Sequence, residues 1–147
     1  ENRFVAKTAR TTVLSRVLEG KFPTYSDIIP SDLPIALELK RTDLLGAVRR
    51  AALLAEDENR LIKVSLSPGE LSLKSASPGL GEAEVSLEVA YADPQTLEVS
   101  YNANFLQDAL NASGEEKVVL KLGKPDEFGR LELGEGYLYV IAPLQLT

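Results

Sequence analysis

The chain contains no cysteine and no histidine among its 147 residues. Without cysteine it can form neither a disulfide nor a thiolate metal site or nucleophile, which fits a cytosolic protein and predicts a cytoplasmic location. Without histidine it lacks Ser-His and Cys-His catalytic arrangements, histidine general bases and nearly all zinc chemistry. Only carboxylate, lysine and tyrosine mechanisms remain open, so the composition favours a scaffold over an enzyme.

The sequence also lacks a long apolar run and an excess of positive charge. No segment approaches the roughly 18 apolar residues that a membrane span needs, and the amino-terminal ENRFVAKTAR has no apolar core of a signal peptide. The chain starts at Glu1 rather than at methionine, which is typical of an internal cut. With 16 Lys+Arg against 22 Asp+Glu, the net charge of -6 disfavours indiscriminate attraction of nucleic acid and leaves such contacts to local clusters.

What the sequence does contain is an internal duplication. Residues 35–91 and 96–146 follow the same order of strand, helix and three strands, and the LEL of 37–39 returns as the LEV of 97–99, roughly sixty residues later. With 44% hydrophobic and 26% charged residues, the chain can bury one good core. We therefore predict an α+β fold made of a duplicated β-α-β-β-β unit, with two helices packed on antiparallel sheets.

In the first unit we predict a strand at 35–40 and a helix starting at Thr42, whose hydroxyl would cap the free N–H groups. A buried helical stripe would consist of Leu45, Val48 and Ala52, with Arg49 and Arg50 pointing outward. Strands follow at 61–66, 70–75 and 81–91, separated by Pro-Gly turns. The last strand alternates between two faces, with Ala83, Val85, Leu87 and Val89 on one and Glu82, Glu84, Ser86 and Glu88 on the other.

In the second unit, Asn102 is placed to cap a helix that continues to about Ala112. Its inward residues are predicted to be Phe105, Ala109 and either Leu106 or Leu110. Strands at 117–122, 128–133 and 137–142 complete the unit.

The first 33 residues differ in pattern from the duplicated units. Two short β-prone runs at 3–9 and 12–18 predict a hairpin, and an isolated hairpin is marginal in water. A connector punctuated by Gly20, Pro23, Pro30 and Pro34 follows. We therefore divide the chain into residues 1–33, the end of a preceding domain with its connector, and residues 34–147, a complete domain.

Two charged clusters allow more than one interpretation. Glu82, Glu84 and Glu88 form a solvated strand face in the simplest case; they could instead be a metal or acid/base cluster, or a partner surface that selects a basic strand. Arg41, Arg49 and Arg50 could contact phosphates or could serve only solubility. Next to these, Leu53 and Leu54 are adjacent and cannot face the same core, so with the long edge strand they predict a subunit-joining surface.

The connector and the carboxyl-terminal tail are more apolar than such segments need to be. The residues concerned are Phe22, Pro23, Tyr25, Ile28 and Ile29 in the connector, and Val140, Ile141, Pro143, Leu144 and Leu146 in the tail. They either bury one another or line an apolar groove for a short peptide.

Four segments in this order resemble one known family. They are GKFPTYSDIIP at 20–30, RAALLAEDENR at 50–60, LEVSYNANFLQDALNA at 97–112 and YLYVIAPLQL at the end of the chain. Together they resemble the bacterial β sliding clamp, the processivity factor of DNA polymerase III. The resemblance implies a non-enzymatic protein without cofactors and with the DNA-clamp fold, in which residues from about Pro34 form the third domain of a three-domain subunit.

The same resemblance implies the partners and the site residues. Two subunits would close head to tail into a homodimeric ring around duplex DNA, and a groove would capture short linear motifs of the replicative polymerase, the clamp loader and repair proteins. Carried over by position, the groove residues are Pro23, Ile28, Asn102, Phe105, Phe128, Arg130, Val140, Ile141, Ala142, Pro143 and Leu144. Ala142 and Leu144 stand where methionines are common in relatives. Arg49 and Arg50 would face DNA, and Leu53, Leu54, Glu82 and Glu84 would lie at the subunit interface.

Two other function classes remain as alternatives. One is a free-standing peptide-binding interaction domain without a DNA role. The other is a carboxylate-dependent hydrolase that uses Glu82, Glu84 or Asp126, although nothing in the sequence orders those acids into a site.

Overall fold

The computed structural model describes residues 2–22, 24–55 and 60–144. At its start, β1 (Arg3–Lys7) and β2 (Thr12–Arg16) form the predicted hairpin, with Arg3 opposite Arg16. Its strands end two residues earlier than predicted, and nearly every residue on both faces is exposed. A short 3₁₀ turn, Tyr25–Asp27, lies in the connector, and Pro23 falls outside the described residues.

The duplicated order of elements is confirmed. The first unit consists of β3 (Ile35–Lys40), α1 (Arg41–Ala51), a 3₁₀ turn (Ala52–Leu54), β4 (Leu61–Ser67), β5 (Glu70–Ser77) and β6 (Gly81–Glu88). The second consists of β7 (Leu97–Asn102), α2 (Ala103–Ala112), β8 (Lys117–Leu122), β9 (Gly129–Glu132) and β10 (Leu138–Ile141). The repeat length is 62 residues, from Arg41 to Ala103 at the two helix starts, so the LEL and LEV segments are not structurally equivalent.

Each four-stranded antiparallel sheet takes one strand from the other unit. The strand orders are β10-β9-β8-β3 and β6-β5-β4-β7, so β3 pairs with β8 and β7 pairs with β4. The first strand of each unit thus completes the sheet of its counterpart. The exchange leaves β6 at a sheet edge, as the alternating pattern predicted.

The core is formed by the inner faces of both sheets and one side of each helix. The buried side of α1 consists of Leu44, Leu45, Ala47, Val48 and Ala51, and that of α2 of Ala103, Leu106, Ala109 and Leu110. The prediction that Phe105 points inward is wrong, because Leu106, Ala109 and Leu110 already fill the stripe and Phe105 is 52% exposed.

The two helices start differently. The Asn102 side chain caps α2, its Oδ1 accepting the N–H of Asn104 at 2.9 Å, as predicted. The predicted Thr42 cap is wrong, because α1 begins one residue earlier, directly after β3, with Lys40 as N-cap and no capping side chain. Thr42 therefore lies inside the first turn, where its hydroxyl donates to Asp43 Oδ1 at 3.3 Å.

Candidate functional site

Arg130 on β9 holds the connector on the sheet β10-β9-β8-β3. Its Nη1 donates to the carbonyl oxygen of Pro30 at 2.8 Å, and its Nη2 donates to Glu132 Oε1 at the same distance. Lys121 Nζ lies 2.8 Å from that carboxylate oxygen, and this bond, with the charge of Arg130, holds the pKa of Glu132 below its ordinary value. The Arg130 side chain is only 13% exposed, and its Nε is buried without a hydrogen-bond partner among the described residues. Both of its terminal nitrogens are engaged, so Arg130 positions the connector.

The tail is held on the other sheet. After β10, in which Val140 lies opposite Arg130, the chain turns so that the Leu144 N–H donates to the carbonyl oxygen of Ser100 at 2.8 Å. Ser100 lies on β7, two residues before the capping Asn102. The tail, the start of α2 and the connector therefore converge on one region of the surface.

Most of the predicted groove residues are accessible there. Ile28, Phe105, Phe128 and Ala142 are exposed, whereas Asn102, Val140, Pro143 and Leu144 are half-buried. The structure corrects the prediction that Ile141 lines the groove. Ile141 is 2% exposed and belongs to the core, because its position on β10 turns it to the face opposite Val140. Ile28, Phe105 and Phe128 thus leave large apolar side chains open to solvent.

A close backbone approach positions β9 under this surface. A Cβ atom at Gly129 would lie 2.5 Å from the Tyr101 hydroxyl oxygen and 3.3 Å from Ile141 Cγ2, so only glycine fits. Tyr101 is 1% exposed, and burial raises the pKa of its phenol. Gly129 therefore allows β9 and β10 to pack against β7 and fixes the neighbouring Phe128 and Arg130.

Two cavities share Pro125 in their lining, and the smaller of them adjoins the tail at Leu144. The smaller, of about 460 Å³, is lined by Lys63, Glu98, Val99, Ser100, Pro125, Asp126 and Leu144. The larger, of about 750 Å³, lies where β3 and β7 begin, and its charged lining residues are Asp32, Asp93, Lys124 and Glu127. Neither cavity was anticipated from the sequence, since both are formed by loops and strands distant along the chain.

The helix arginines differ in their contacts. Arg49 and Arg50 are exposed, as predicted, and Arg49 Nη2 donates to Asn111 Oδ1 of α2 at 2.9 Å. Arg41, in contrast, donates through Nε to Glu115 O at 2.7 Å and through Nη1 to Leu110 O at 3.2 Å. Arg41 therefore satisfies one carbonyl group in the last turn of α2 and one in the loop that follows it, and is not a free phosphate-binding group.

The edge near β6 carries exposed apolar residues and paired charges. Leu53 is 77% exposed, Leu54 is half-buried, and Glu82 is exposed. Glu84 is engaged by Lys74 Nζ at 2.9 Å and the Ser72 hydroxyl at 2.9 Å, and these bonds lower its pKa. Within residues 2–22, 24–55 and 60–144, no three acidic side chains come together as a possible metal site.

No helix in the described part of the chain is long and apolar enough to cross a membrane.

Comparison with known proteins gives a consistent result. Residues 26–131 match the family model of the DNA polymerase III beta subunit, C-terminal domain. The chain is 30% identical over 146 residues to the beta sliding clamp of Chlamydia trachomatis, covering 99% of this chain and 35% of that protein. It is 31% identical over 143 residues to the beta sliding clamp of Pseudomonas putida, covering 96% of this chain and 39% of that protein.

The fold agrees with solved structures as well. The crystal structure of the DNA polymerase III subunit beta from Pseudomonas aeruginosa matches with a TM-score of 0.88 and 28% identity, covering 99% of this chain and 40% of that one. The chain thus spans well under half the length of these relatives, and its α+β architecture is that of sliding clamps. It belongs to the family of the DNA polymerase III beta subunit, the beta sliding clamp, and residues 26–131 correspond to that family's C-terminal domain.

Proposed function

We propose that this chain is the carboxyl-terminal part of a sliding clamp subunit that encircles duplex DNA and tethers the replicative polymerase through a peptide groove. The observation that carries the proposal is the convergence of connector and tail, through the Arg130–Pro30 and Leu144–Ser100 bonds, on an exposed apolar surface. The function is topological, without catalysis or cofactor. Such a protein works where the chromosome is, in the bacterial cytoplasm.

The groove is suited to an extended peptide with apolar side chains. Exposed Phe105 and Phe128 supply apolar walls, and half-buried Leu144 closes one end. Because part of the wall would come from the preceding domain, we expect affinity of about 1 μM or weaker, near -8 kcal/mol. Weak binding suits the function, since effective concentration on the ring then supplies the retention.

The helices are suited to loose contact with DNA. Arg49 and Arg50 are exposed near the end of α1, while Asp43 and Asp108 are exposed on the same pair of helices. Few cations with interspersed acids give a shallow, salt-dependent attraction to phosphates, and sliding requires such a profile.

The ends of the chain support a larger assembly. The exposed β1–β2 hairpin is apolar on both sides, which supports residues 1–33 as the end of a second domain and 34–147 as the third. Exposed Leu53, with Leu54 and the β6 edge bearing Glu82 and Glu84, supports a subunit interface along that edge.

The groove is tested by removing the tail. Deleting residues 143–147 removes Leu144 but leaves the buried Ile141 in place, so we expect a folded domain that no longer binds a polymerase-derived tail peptide in calorimetry. Phe105→Ala should weaken binding in the same assay, whereas Leu80→Ala, an even more exposed apolar position on the β5–β6 turn, should not. Full affinity after the deletion would rule out the tail as a groove wall.

A further inference from the structure

The smaller cavity lies directly beyond the end of the proposed groove. The Leu144–Ser100 bond fixes the tail against β7, so Leu144 borders the groove on one side and lines the cavity on the other. The other apolar residues that line this cavity are Pro125 and the buried Val99. An extended peptide that leaves the groove past Leu144 therefore reaches this cavity with its next side chains.

The charged side chains that line the smaller cavity have a net negative charge. Lys63 Nζ lies 2.6 Å from Glu98 Oε2, and this bond is the main reason that the pKa of Glu98 falls below its ordinary value. The other oxygen of Glu98 accepts the Ser65 hydroxyl at 3.4 Å. Asp126 has no hydrogen-bond or ion-pair partner in the described part of the chain. The Lys63–Glu98 pair is thus neutral, and Asp126 supplies the net charge.

The residues that line the larger cavity, on the other side of Pro125, also have a net negative charge. Its single lysine, Lys124, is paired with Glu127 at 3.3 Å. Asp32 and Asp93 line the same cavity, and neither has a cationic partner among the residues that the structure describes. The surface beyond Leu144 is therefore acidic on both sides of Pro125, and a cationic side chain is the one that it would attract.

We propose that the cavity beside Leu144 is an extension of the peptide groove that binds a lysine or arginine flanking the partner's apolar motif. The aliphatic stem of that residue packs on Leu144 and Pro125, and its charged head reaches the Asp126 carboxylate. The inference rests on the proposed groove and adds a charge preference to it. Asp126 is then a specificity residue, which selects partners by what adjoins their motif rather than by the motif itself.

The test uses synthetic peptides that share one apolar motif and carry lysine, alanine or glutamate at the flanking positions. Dissociation constants are measured by fluorescence anisotropy on the full chain at low and high salt. We expect the lysine-flanked peptide to bind about two- to fivefold more tightly than the alanine-flanked one, as for a solvent-exposed ion pair, and this advantage to shrink in high salt.

Variants of Asp126, an exposed turn residue, distinguish binding in the cavity from binding in the groove. Asp126→Asn should remove the preference for lysine while leaving the affinity for the alanine-flanked peptide unchanged, and Asp126→Lys should favour the glutamate-flanked peptide. Glu135→Gln, an exposed acid at the far end of the β9–β10 hairpin, should keep the preference. Persistence of the lysine preference in Asp126→Asn would overturn the cavity assignment alone. Failure of every peptide to bind would overturn the groove, and with it the cavity.

Discussion

Replacing Gly129 by alanine should destabilise the domain by about 1–3 kcal/mol, the usual cost of overpacking a rigid core. The new Cβ would lie 2.5 Å from the hydroxyl oxygen and 3.2 Å from Cζ of Tyr101. Ordinary contact begins near 3.4 Å, so β9 or the ring must move by about 1 Å. The ring is completely enclosed and cannot rotate away, and Ile141 Cγ2, at 3.3 Å, blocks the other side.

Equilibrium unfolding in urea measures this cost, and a double-mutant cycle assigns it. In a Tyr101→Phe background the closest contact disappears and only the milder contacts with the ring carbon and Ile141 Cγ2 remain, so the penalty of Gly129→Ala should fall clearly. Gly114→Ala is the matched control, because its Cβ meets nothing within 4 Å and should change stability by about 0.5 kcal/mol at most. Additive effects of Tyr101→Phe and Gly129→Ala would refute the steric argument.

Four further outcomes are expected. Arg41→Ala should cost about 1 kcal/mol in urea unfolding because it frees one carbonyl group in the last turn of α2 and one in the loop that follows it, whereas Arg50→Ala should cost almost nothing. Several lysine-bound carboxylates have pKa values below their ordinary 4.5, so their stabilisation is complete above pH 4.5 and is lost as the pH falls further, through the lowered pKa of the folded state: Glu84, Glu98, Glu127 and Glu132. Without histidine, stability should stay flat between about pH 6 and 8, and a transition there would contradict this assignment. Replacing Arg49 and Arg50 by glutamate in the full-length subunit should reduce retention on circular DNA at low salt but not peptide binding; altered peptide affinity would place them on the wrong surface. Replacing Leu53 and Leu54 by alanine there should give monomers in sedimentation, and unchanged dimers at low concentration would defeat the interface.

The order of elements was predictable because it rests on local signals. Pro-Gly turns, alternating strands and the Asn102 cap are each read within a few residues; the cap and the order of strands agree with the prediction, whereas the alternating strand ends at Glu88 rather than at residue 91. The repeat length was not predictable from the strands, because shifting a strand by two residues leaves every side chain on the same face. Only the starts of the two helices define the repeat length. The exchange of β3 and β7 between sheets was also beyond the sequence, because pairing partners are set by the whole fold.

The candidate site was predictable in composition but not in geometry. The family resemblance and the apolar content indicated the connector and tail as groove segments, yet neither indicates that Arg130 donates a hydrogen bond to the Pro30 carbonyl oxygen. Alternation along β10 could have separated buried Ile141 from Val140, because neighbours on a strand face opposite sides. The contact between Leu144 and Ser100 left no signal, since the Ser100 carbonyl group acts through the backbone and would do so with any side chain.

The strand exchange has a consequence for how the groove is supported. Its tail side rests on β7 of one sheet through the Leu144–Ser100 bond, while Phe128 and Arg130 belong to the β8–β9 region of the other sheet. A peptide bound across the tail therefore contacts both sheets at once, and each sheet is completed by a strand of the opposite unit. Ligand that binds only the folded state stabilises everything that must be folded for binding. Because each sheet contains a strand of the other unit, saturating peptide should raise the midpoint of a single unfolding transition rather than protect one half of the domain.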